Sequence, residues 1–204
     1  MKTFTGFTEE TAKHLILDAG AFFKNFDLKT DTFDTAVAAG KLIGATKGGG
    51  EFSAVPTIRP IEVDGIKGRA KGLEVIDYWD TYIKANILEI TKDTIKAALC
   101  AADVDEATSE KYMIIKGRNA IKDEDYIENI TWVGTLSGSD EPAIIMVKNA
   151  LNTDGLKLTT QDKSEGVVAT TFYGHYDAKA LNEPPFEIHY PKTETTAQAN
   201  TEEE

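Results

Sequence analysis

The glycine-rich run from Gly44 to Gly50, GATKGGG, is the stretch whose residue types could bind a phosphate group. A phosphate loop follows the pattern G-x-x-x-x-G-K-[ST] between a strand and a helix, because its backbone N–H groups must converge on the phosphate. The run here lacks that pattern and leads into a predicted hairpin. We therefore interpret Gly48, Gly49 and Gly50 as a flexible joint at the base of that hairpin.

Acidic runs, histidines and the single cysteine are the other candidates for chemistry. His175 and His189 lie in alternating stretches typical of strands, and Cys100 ends a helical apolar stripe. No G-x-S-x-G motif occurs. The sequence therefore predicts no catalytic residue, no metal ligand and no cofactor, and we expect that the protein is not an enzyme. Neither acidic run has the glycine and terminal glutamate of a calcium loop; the runs are Asp103, Asp105 and Glu106, then Asp123, Glu124 and Asp125.

Composition and charge exclude further classes. The 204 residues carry 34 acidic and 22 basic side chains, for a net charge of −12, whereas proteins that wrap nucleic acid need clustered Lys and Arg. The single cysteine permits no internal disulfide. The first residues lack the pattern of an export signal, and no apolar run reaches about 18 residues, so we expect no membrane span. A hydrophobic content of 41% allows one domain with a substantial core.

A hairpin predicted over 52–76 is the element around which the chain is organised. Its centre is Asp64-Gly65, and both residue types tolerate the positive φ that a type I′ turn needs at its two central positions. Pro56 and Pro60 cannot donate to a ladder, so the first arm is predicted to be an edge strand or a projecting loop. A long hairpin of this kind is suited to contact with another subunit.

The same turn predicts a register for the tip. Glu62 is set opposite Lys67, and Ile61 opposite Gly68, above a weakly paired base. The small apolar tip would be buried only against another molecule. We therefore expect contacts between copies through the tip residues Glu62, Val63, Asp64, Gly65, Ile66 and Lys67.

The segments on either side of the hairpin are less regular. Residues 1–50 are interpreted as an N-terminal strand, His14 to Phe26, followed by a long connecting arm. A flanking helix is predicted over 91–102, because Thr91 is a good N-cap. Its apolar stripe consists of Ile95, Ala98, Leu99 and Ala102.

Alternating stretches separated by turn residues predict the remaining strands. The sequence therefore predicts a mainly β fold: a β-sandwich or barrel of about eight strands with one flanking α-helix, a long projecting hairpin and terminal arms. One domain is expected over 1–191. The acidic tail 192–204 has no aromatic or branched aliphatic residue and is expected to be disordered. The predicted strands are Trp79 to Ile90, Tyr112 to Lys116, Ile127 to Leu136, Ala143 to Leu151, Gly166 to Tyr176 and Phe186 to Tyr190.

Several stretches, taken in chain order, resemble the major tail proteins, or tail tube proteins, of long-tailed bacteriophages, particularly those of Gram-positive hosts. The resemblance implies that six copies close into a ring and that rings stack into a hollow tube through which DNA leaves the capsid. It also implies that the hairpin and the terminal arms make contacts between rings. Chain length favours a tail of the non-contractile type. A tube inside a contractile sheath remains the alternative. The stretches cover most of the chain: Leu15 to Asp27, Lys41 to Gly65, Lys67 to Asp77, the ILEIT step, Ile144 to Leu151, Asp162 to Asp177 and Pro185 to Pro191.

Partners and location follow from the same resemblance. Besides other copies of itself, the protein is expected to contact the tail tip or distal tail protein, the tape measure protein and the tail terminator protein. It is expected in the virion, after synthesis in the cytoplasm of the host bacterium. Viral DNA is expected to pass through the lumen without specific binding, so the wall should be acidic or neutral. The first candidates for that wall are Glu74, Asp77, Asp80 and Glu89.

A second hypothesis comes from a different class of protein. Baseplate and host-surface recognition modules of phages also use β-sandwiches. Such a module would carry a cluster of exposed aromatic residues on its loops, whereas a tube subunit would self-associate.

Overall fold

The computed structural model describes residues 4–192 and is mainly β. Within this range, ten strands and two α-helices, with 3-10 turns at Thr11–Lys13 and Asp123–Asp125, form a sandwich-like fold that is not a closed barrel. The predicted fold class is confirmed. The strands are β1 Ala21–Lys24, β2 Thr46–Pro60, β3 Glu74–Ile87, β4 Ala102–Asp105, β5 Ile114–Gly117, β6 Ile127–Gly134, β7 Ala143–Asn152, β8 Lys157–Gln161, β9 Ser164–Tyr173 and β10 Phe186–His189, and the helices are α1 Phe33–Ala38 and α2 Lys92–Ala98.

Eight strands form one continuous antiparallel sheet that folds into two layers. The first layer has the order β1-β6-β7-β10, and the second has the order β2-β3-β9-β8. The C-terminal end of β7 joins the layers, because Leu151 and Asn152 pair with Tyr173 and Phe172 of β9. Strands β4 and β5 form a separate two-stranded sheet.

The main core lies between the two layers. Alternate residues of β3 point into it, and Ile83 and Ile87 are fully buried there against Phe172 of β9. The first layer contributes Phe22, Ile130 and Val147 from β1, β6 and β7. Each large side chain buried in this way contributes about 1.5–3 kcal/mol through the hydrophobic effect.

A second cluster covers the outer face of the first layer. Residues after β1 fold back over the sheet, and α1 places Ala36 against Phe23, Phe26 and Val133. This helix lies inside the stretch that the sequence predicted as a long connecting arm. Thr32 caps it by accepting a hydrogen bond from the Thr35 N–H.

The predicted flanking helix exists as α2 but is shorter than expected. Thr91 is its N-cap and accepts a hydrogen bond from the Thr94 N–H at 3.1 Å, as predicted. The helix ends at Ala98 because the chain reverses at Cys100, whose φ is +70°, and enters β4 at Ala102. The range 91–102 was therefore too long.

Two predicted strands need correction at their ends. The first strand is only Ala21–Lys24, since Gly20 has a φ of +66° and lies where a Cβ would be 2.3 Å from Nε1 of Trp132. The strand predicted from Trp79 to Ile90 is the second half of β3 and not a separate element. The sequence missed β4 and β8. All five residues of β8 are exposed, so its pattern shows no alternation of apolar and polar residues.

The tail predicted to be disordered, 192–204, lies outside the described residues except for Lys192.

Candidate functional site

The hairpin formed by β2 and β3 projects beyond the rest of the sandwich. The two strands pair from Thr46 and Ile87 at the base to Pro60 and Glu74 at the far end. Strand β9 pairs with β3 only over 82–87. Thr81 is still held to the body of the sandwich, because it is buried and its carbonyl accepts a hydrogen bond from the Gly174 N–H at 3.0 Å. Among the described residues, residues 74–80 of β3 therefore have β2 as their only strand neighbour and form a two-stranded ribbon about 23 Å long, at about 3.3 Å per residue.

The tip differs from the predicted turn. The ladder ends at Pro60 and Glu74, and the intervening residues 61–73 form a loop. The Ile66 N–H donates to the Val63 carbonyl at 3.2 Å across Asp64-Gly65. Gly65 has a φ of +85°, whereas Asp64 is not among the residues with positive φ, so the turn follows the type II and not the type I′ pattern.

The predicted tip register is wrong for a backbone reason. Gly68 and Gly72 have φ values of +87° and +88°, so residues 66–73 cannot run as a straight strand. Neither the Glu62–Lys67 nor the Ile61–Gly68 pairing occurs. The loop is closed instead by the Ile61 N–H, which donates to the Leu73 carbonyl at 2.8 Å. The base is thus well paired and the tip is a loop, the reverse of the prediction.

Pro56 of β2 fits the ladder because its nitrogen, which has no N–H to donate, faces away from β3. Pro56 pairs with Trp79, whose N–H donates at 2.8 Å to Oη of Tyr176, on the side away from β2. This makes Pro56 and Trp79 a non-hydrogen-bonded pair, so the nitrogen of Pro56 faces the open edge. Pro56 is therefore compatible with an edge strand, as predicted.

Both faces of the ribbon expose large apolar side chains. The register places Val55 and Tyr78 on one face and Ile58 and Ile76 on the other, and between 43% and 57% of each residue is exposed. Asp77 lies between Ile76 and Tyr78 as an extra residue that bulges β3. Together with the loop, the ribbon exposes eight large apolar residues: Val55, Ile58, Ile61, Val63, Ile66, Val75, Ile76 and Tyr78.

The sequence located the tip but missed the apolar ribbon below it. The stretches AVPTIRP and EVIDYW carry apolar residues at both odd and even positions. An arm whose sheet covered one face would alternate apolar and polar residues, so this pattern was the available signal.

The outer edge of β2 is a further open surface. Among the described residues, β2 hydrogen-bonds with β3 and with no other strand. An open edge of this length presents unpaired N–H and C=O groups that can pair with another chain. The hairpin therefore combines exposed apolar faces with an unpaired backbone edge.

The three glycines predicted as a flexible joint lie inside β2. Gly48 and Gly49 have φ values of +80° and +69° and produce the register shift between Thr46 and Gly50. At Gly50 a Cβ would lie 2.3 Å from the Lys84 carbonyl oxygen and 2.4 Å from Cζ of Phe22. The glycines thus shape an irregular strand start and do not precede the hairpin as a separate joint.

The four candidate acids of the lumen wall do not form one acidic surface. Glu74 lies 3.4 Å from Nε of Arg69, and Asp77 lies 3.2 Å from Nε of Arg59. Glu89 follows the end of β3 and accepts a hydrogen bond from the Ala45 N–H at 2.9 Å. Asp80 is exposed and pairs across the ladder with Val55. By register Glu74 and Asp80 lie on opposite faces.

A charged cluster occupies the outer face at the base of the hairpin. Tyr82 donates a hydrogen bond from Oη to Oε1 of Glu51 at 2.5 Å, and Nζ of Lys84 lies 3.2 Å from the other carboxylate oxygen. The hydrogen bonds from Tyr82 and then Lys84 lower the pKa of Glu51, and the same contact raises the pKa of Lys84. The charges of Glu51 and Lys84 balance, so this part of the face is not acidic.

Residues 4–192 show no grouping of three or more His, Cys, Asp or Glu side chains that could hold a metal ion. Within the same range, every helix is too short or too polar to cross a membrane.

Comparison with known proteins gives no match: no protein-family model matches the chain, and no curated protein is significantly similar to it.

Proposed function

We propose that this protein is a structural subunit of the tail of a long-tailed bacteriophage, in which copies form stacked rings, with six copies in each, around a channel for DNA. The observation that carries the proposal is the ribbon and loop of the β2–β3 hairpin, whose eight exposed apolar residues project away from the core of their own chain. The sequence resemblance to tail tube proteins and the sandwich-like β fold support it.

The energetics favour assembly of many copies over a simple dimer. Full burial of a large apolar side chain contributes about 1.5–3 kcal/mol, so burying the exposed half of eight such residues contributes roughly 8 kcal/mol. Association of two molecules costs about 4–15 kcal/mol in lost freedom. One hairpin contact is therefore weak alone, whereas a copy that joins an assembly of stacked rings makes several contacts for a single loss of freedom.

The remaining parts of the proposal rest on the resemblance. The partners are the tail tip or distal tail protein, the tape measure protein and the tail terminator, and the location is the virion. The lumen wall is acidic or neutral, in keeping with the net charge of −12. Because Glu74 and Asp77 are each paired with an arginine, Asp80 becomes the first acid to test among the four candidates.

A recognition module of a baseplate is the second candidate, and one observation favours it. Exposed aromatic residues occur outside the strands at Phe4, Phe7, Tyr112 and Tyr190. Aromatic side chains are common in binding surfaces. A recognition module and a tube subunit differ in self-association, so one experiment separates them.

The test is assembly of the purified full chain, followed by light scattering and negative-stain microscopy over a wide range of concentration. We expect monomers or small oligomers when dilute and rings or tubes when concentrated or nucleated by tail-tip partners. The variant Val63→Asp/Ile66→Asp should remain monomeric, because it places charge on the apolar loop. Leu181→Asp is the matched control, since Leu181 is 67% exposed and lies far along the chain from the hairpin. A parent protein that stays monomeric under all these conditions would contradict the proposal.

A further inference from the structure

A groove lies on the outer face of the first layer, beside α1 and the loop between β6 and β7. Its volume is about 720 Å³. Phe26 and Val133, which belong to the second core cluster, form part of its floor. Leu28 and Ile144 extend that floor, and Phe33 of α1 lines one side while remaining 51% exposed. The apolar surface that the groove exposes comes mainly from Phe33, with smaller contributions from the half-buried Leu28 and Ile144.

The rim of the groove is acidic. Asp18, Asp140 and Glu141 line it, and all three are exposed. None of the three forms an ion pair within residues 4–192. Asp31 also reaches the groove, but its charge is already balanced by Lys41 at 2.5 Å. The groove thus presents an apolar floor with three unbalanced negative charges.

The second half of the hairpin loop has the complementary character. The stretch IKGRAKGL over 66–73 carries Lys67, Arg69 and Lys71, with the exposed Ile66 at its start. Lys67 and Lys71 form no ion pair among the described residues, and Arg69 approaches only Glu74. The second half of the loop is therefore an exposed cationic segment next to an apolar side chain, whereas Glu62 and Asp64 make the first half acidic.

We propose that the loop 61–73 of one copy docks in this groove on another copy, with Ile66 against the apolar floor and the basic residues against Asp18, Asp140 and Glu141. The proposal rests on the proposed function, which supplies the second copy. Loop and groove are different surfaces of the same chain, so the contact is heterologous. A heterologous contact leaves one free loop and one free groove at the ends of any open assembly, and growth can continue from both.

The first test is a charge swap measured by assembly of the full chain. Lys67→Glu/Lys71→Glu reverses the loop, and Asp140→Lys/Glu141→Lys reverses the groove. Each reversal should raise the concentration needed for assembly by about tenfold or more, and combining the two should restore assembly, because opposite charges again face each other. Asp162→Lys/Glu183→Lys is the matched control, since both residues are exposed acids that do not line the groove.

The second test needs only two copies in contact and no tube. A carbodiimide joins a lysine amine directly to a carboxylate with no spacer. Equal amounts of unlabelled and ¹⁵N-labelled parent protein are cross-linked at high concentration, and mixed-label peptides are identified by mass spectrometry. We expect cross-links from Lys67 or Lys71 to Asp18, Asp140 or Glu141 between the two labels.

The outcomes separate this inference from the proposed function. If the parent assembles and the groove reversal assembles like the control, the docking proposal is overturned and the tube proposal stands. If the parent forms no tubes, the cross-links decide the docking proposal alone. The groove variant could also lose assembly while the parent gives no mixed-label cross-links between loop and groove. Something other than the hairpin loop would then occupy the groove, and the docking proposal would again be overturned.

Discussion

Shortening the hairpin loop should separate folding from assembly. The change replaces residues 61–73, which connect the paired ends Pro60 and Glu74, with a four-residue glycine-rich turn. It removes the apolar residues of the loop and its three cations and leaves the strand ladder in place. We expect the shortened protein to fold as the parent does and to lose the ability to form tubes.

The magnitude follows from the contacts of the loop. Its removal loses a few solvent-exposed hydrogen bonds and the exposed Arg69–Glu74 ion pair, and a surface pair of this kind contributes about 0–1 kcal/mol. Shortening a loop from 13 residues to four lowers the entropy of closure by about 1 kcal/mol, from (3/2)RT ln(13/4). The two effects nearly cancel. The free energy of unfolding should therefore stay within about 1 kcal/mol of the parent value.

The assay pairs urea unfolding with light scattering and electron microscopy of the same preparation. The variant Val63→Ser/Ile66→Ser keeps the loop length and should also weaken assembly, which separates loss of apolar contact from loss of length. Leu181→Ser, at an exposed site outside the hairpin, is the control for a lost surface leucine. The reasoning is refuted if the shortened protein unfolds several kcal/mol more easily or still forms full-length tubes.

Three further changes test other parts of the structure. Gly50→Ala should lower the free energy of unfolding by about 1–3 kcal/mol in urea titration, because its Cβ would lie 2.3 Å from the Lys84 carbonyl oxygen; an unchanged midpoint would contradict this. Asp80→Lys should leave stability unchanged and slow DNA release from assembled particles at low salt, and the difference should shrink near 1 M salt, where the screening length falls to about 3 Å; equal rates at low salt would argue against a lumen position. Stability should decrease as the pH falls below about 4.5, because hydrogen bonds lower the pKa of several carboxyls in the folded protein. The unfolded chain therefore binds more protons than the folded protein in this pH range. Urea titrations from pH 7 to 3 that show no such decrease would contradict this. The carboxyls, each with its main partner, are Glu51 with Tyr82, Asp93 with Lys24 and Glu187 with Lys148.

Several features could be predicted because their causes are local. Strands β6, β7 and β9 lie within a few residues of their predicted ranges, since buried strands show apolar alternation between turn residues. Thr91 begins the helix as expected, because an N-cap needs only its own side chain and the N–H three residues later. Asp64-Gly65 also forms a turn, although of another type.

Features that depend on a distant segment could not be predicted in this way. Gly20 ends the first strand because Trp132, which is remote in sequence, occupies the space of a Cβ. Strand β8 shows no alternation of apolar and polar residues because all five of its residues are exposed. It is held in place by its backbone hydrogen bonds to β9. Helix α1 is too short to show a period and is held by its cap and by Ala36 in the second cluster.

The sequence by itself determined a mainly β chain, the position of the hairpin turn and the exposure expected of its apolar tip. Each of these follows from residue type and spacing over a few positions. The tertiary structure decided how far the hairpin projects, because β9 stops pairing with β3 at Tyr82. It also decided that Arg59 and Arg69 neutralise two of the four candidate acids, and that an acidic groove forms from segments far apart in the chain. Ion pairs and surfaces of this kind depend on which segments meet in space. The local residue pattern does not determine those contacts.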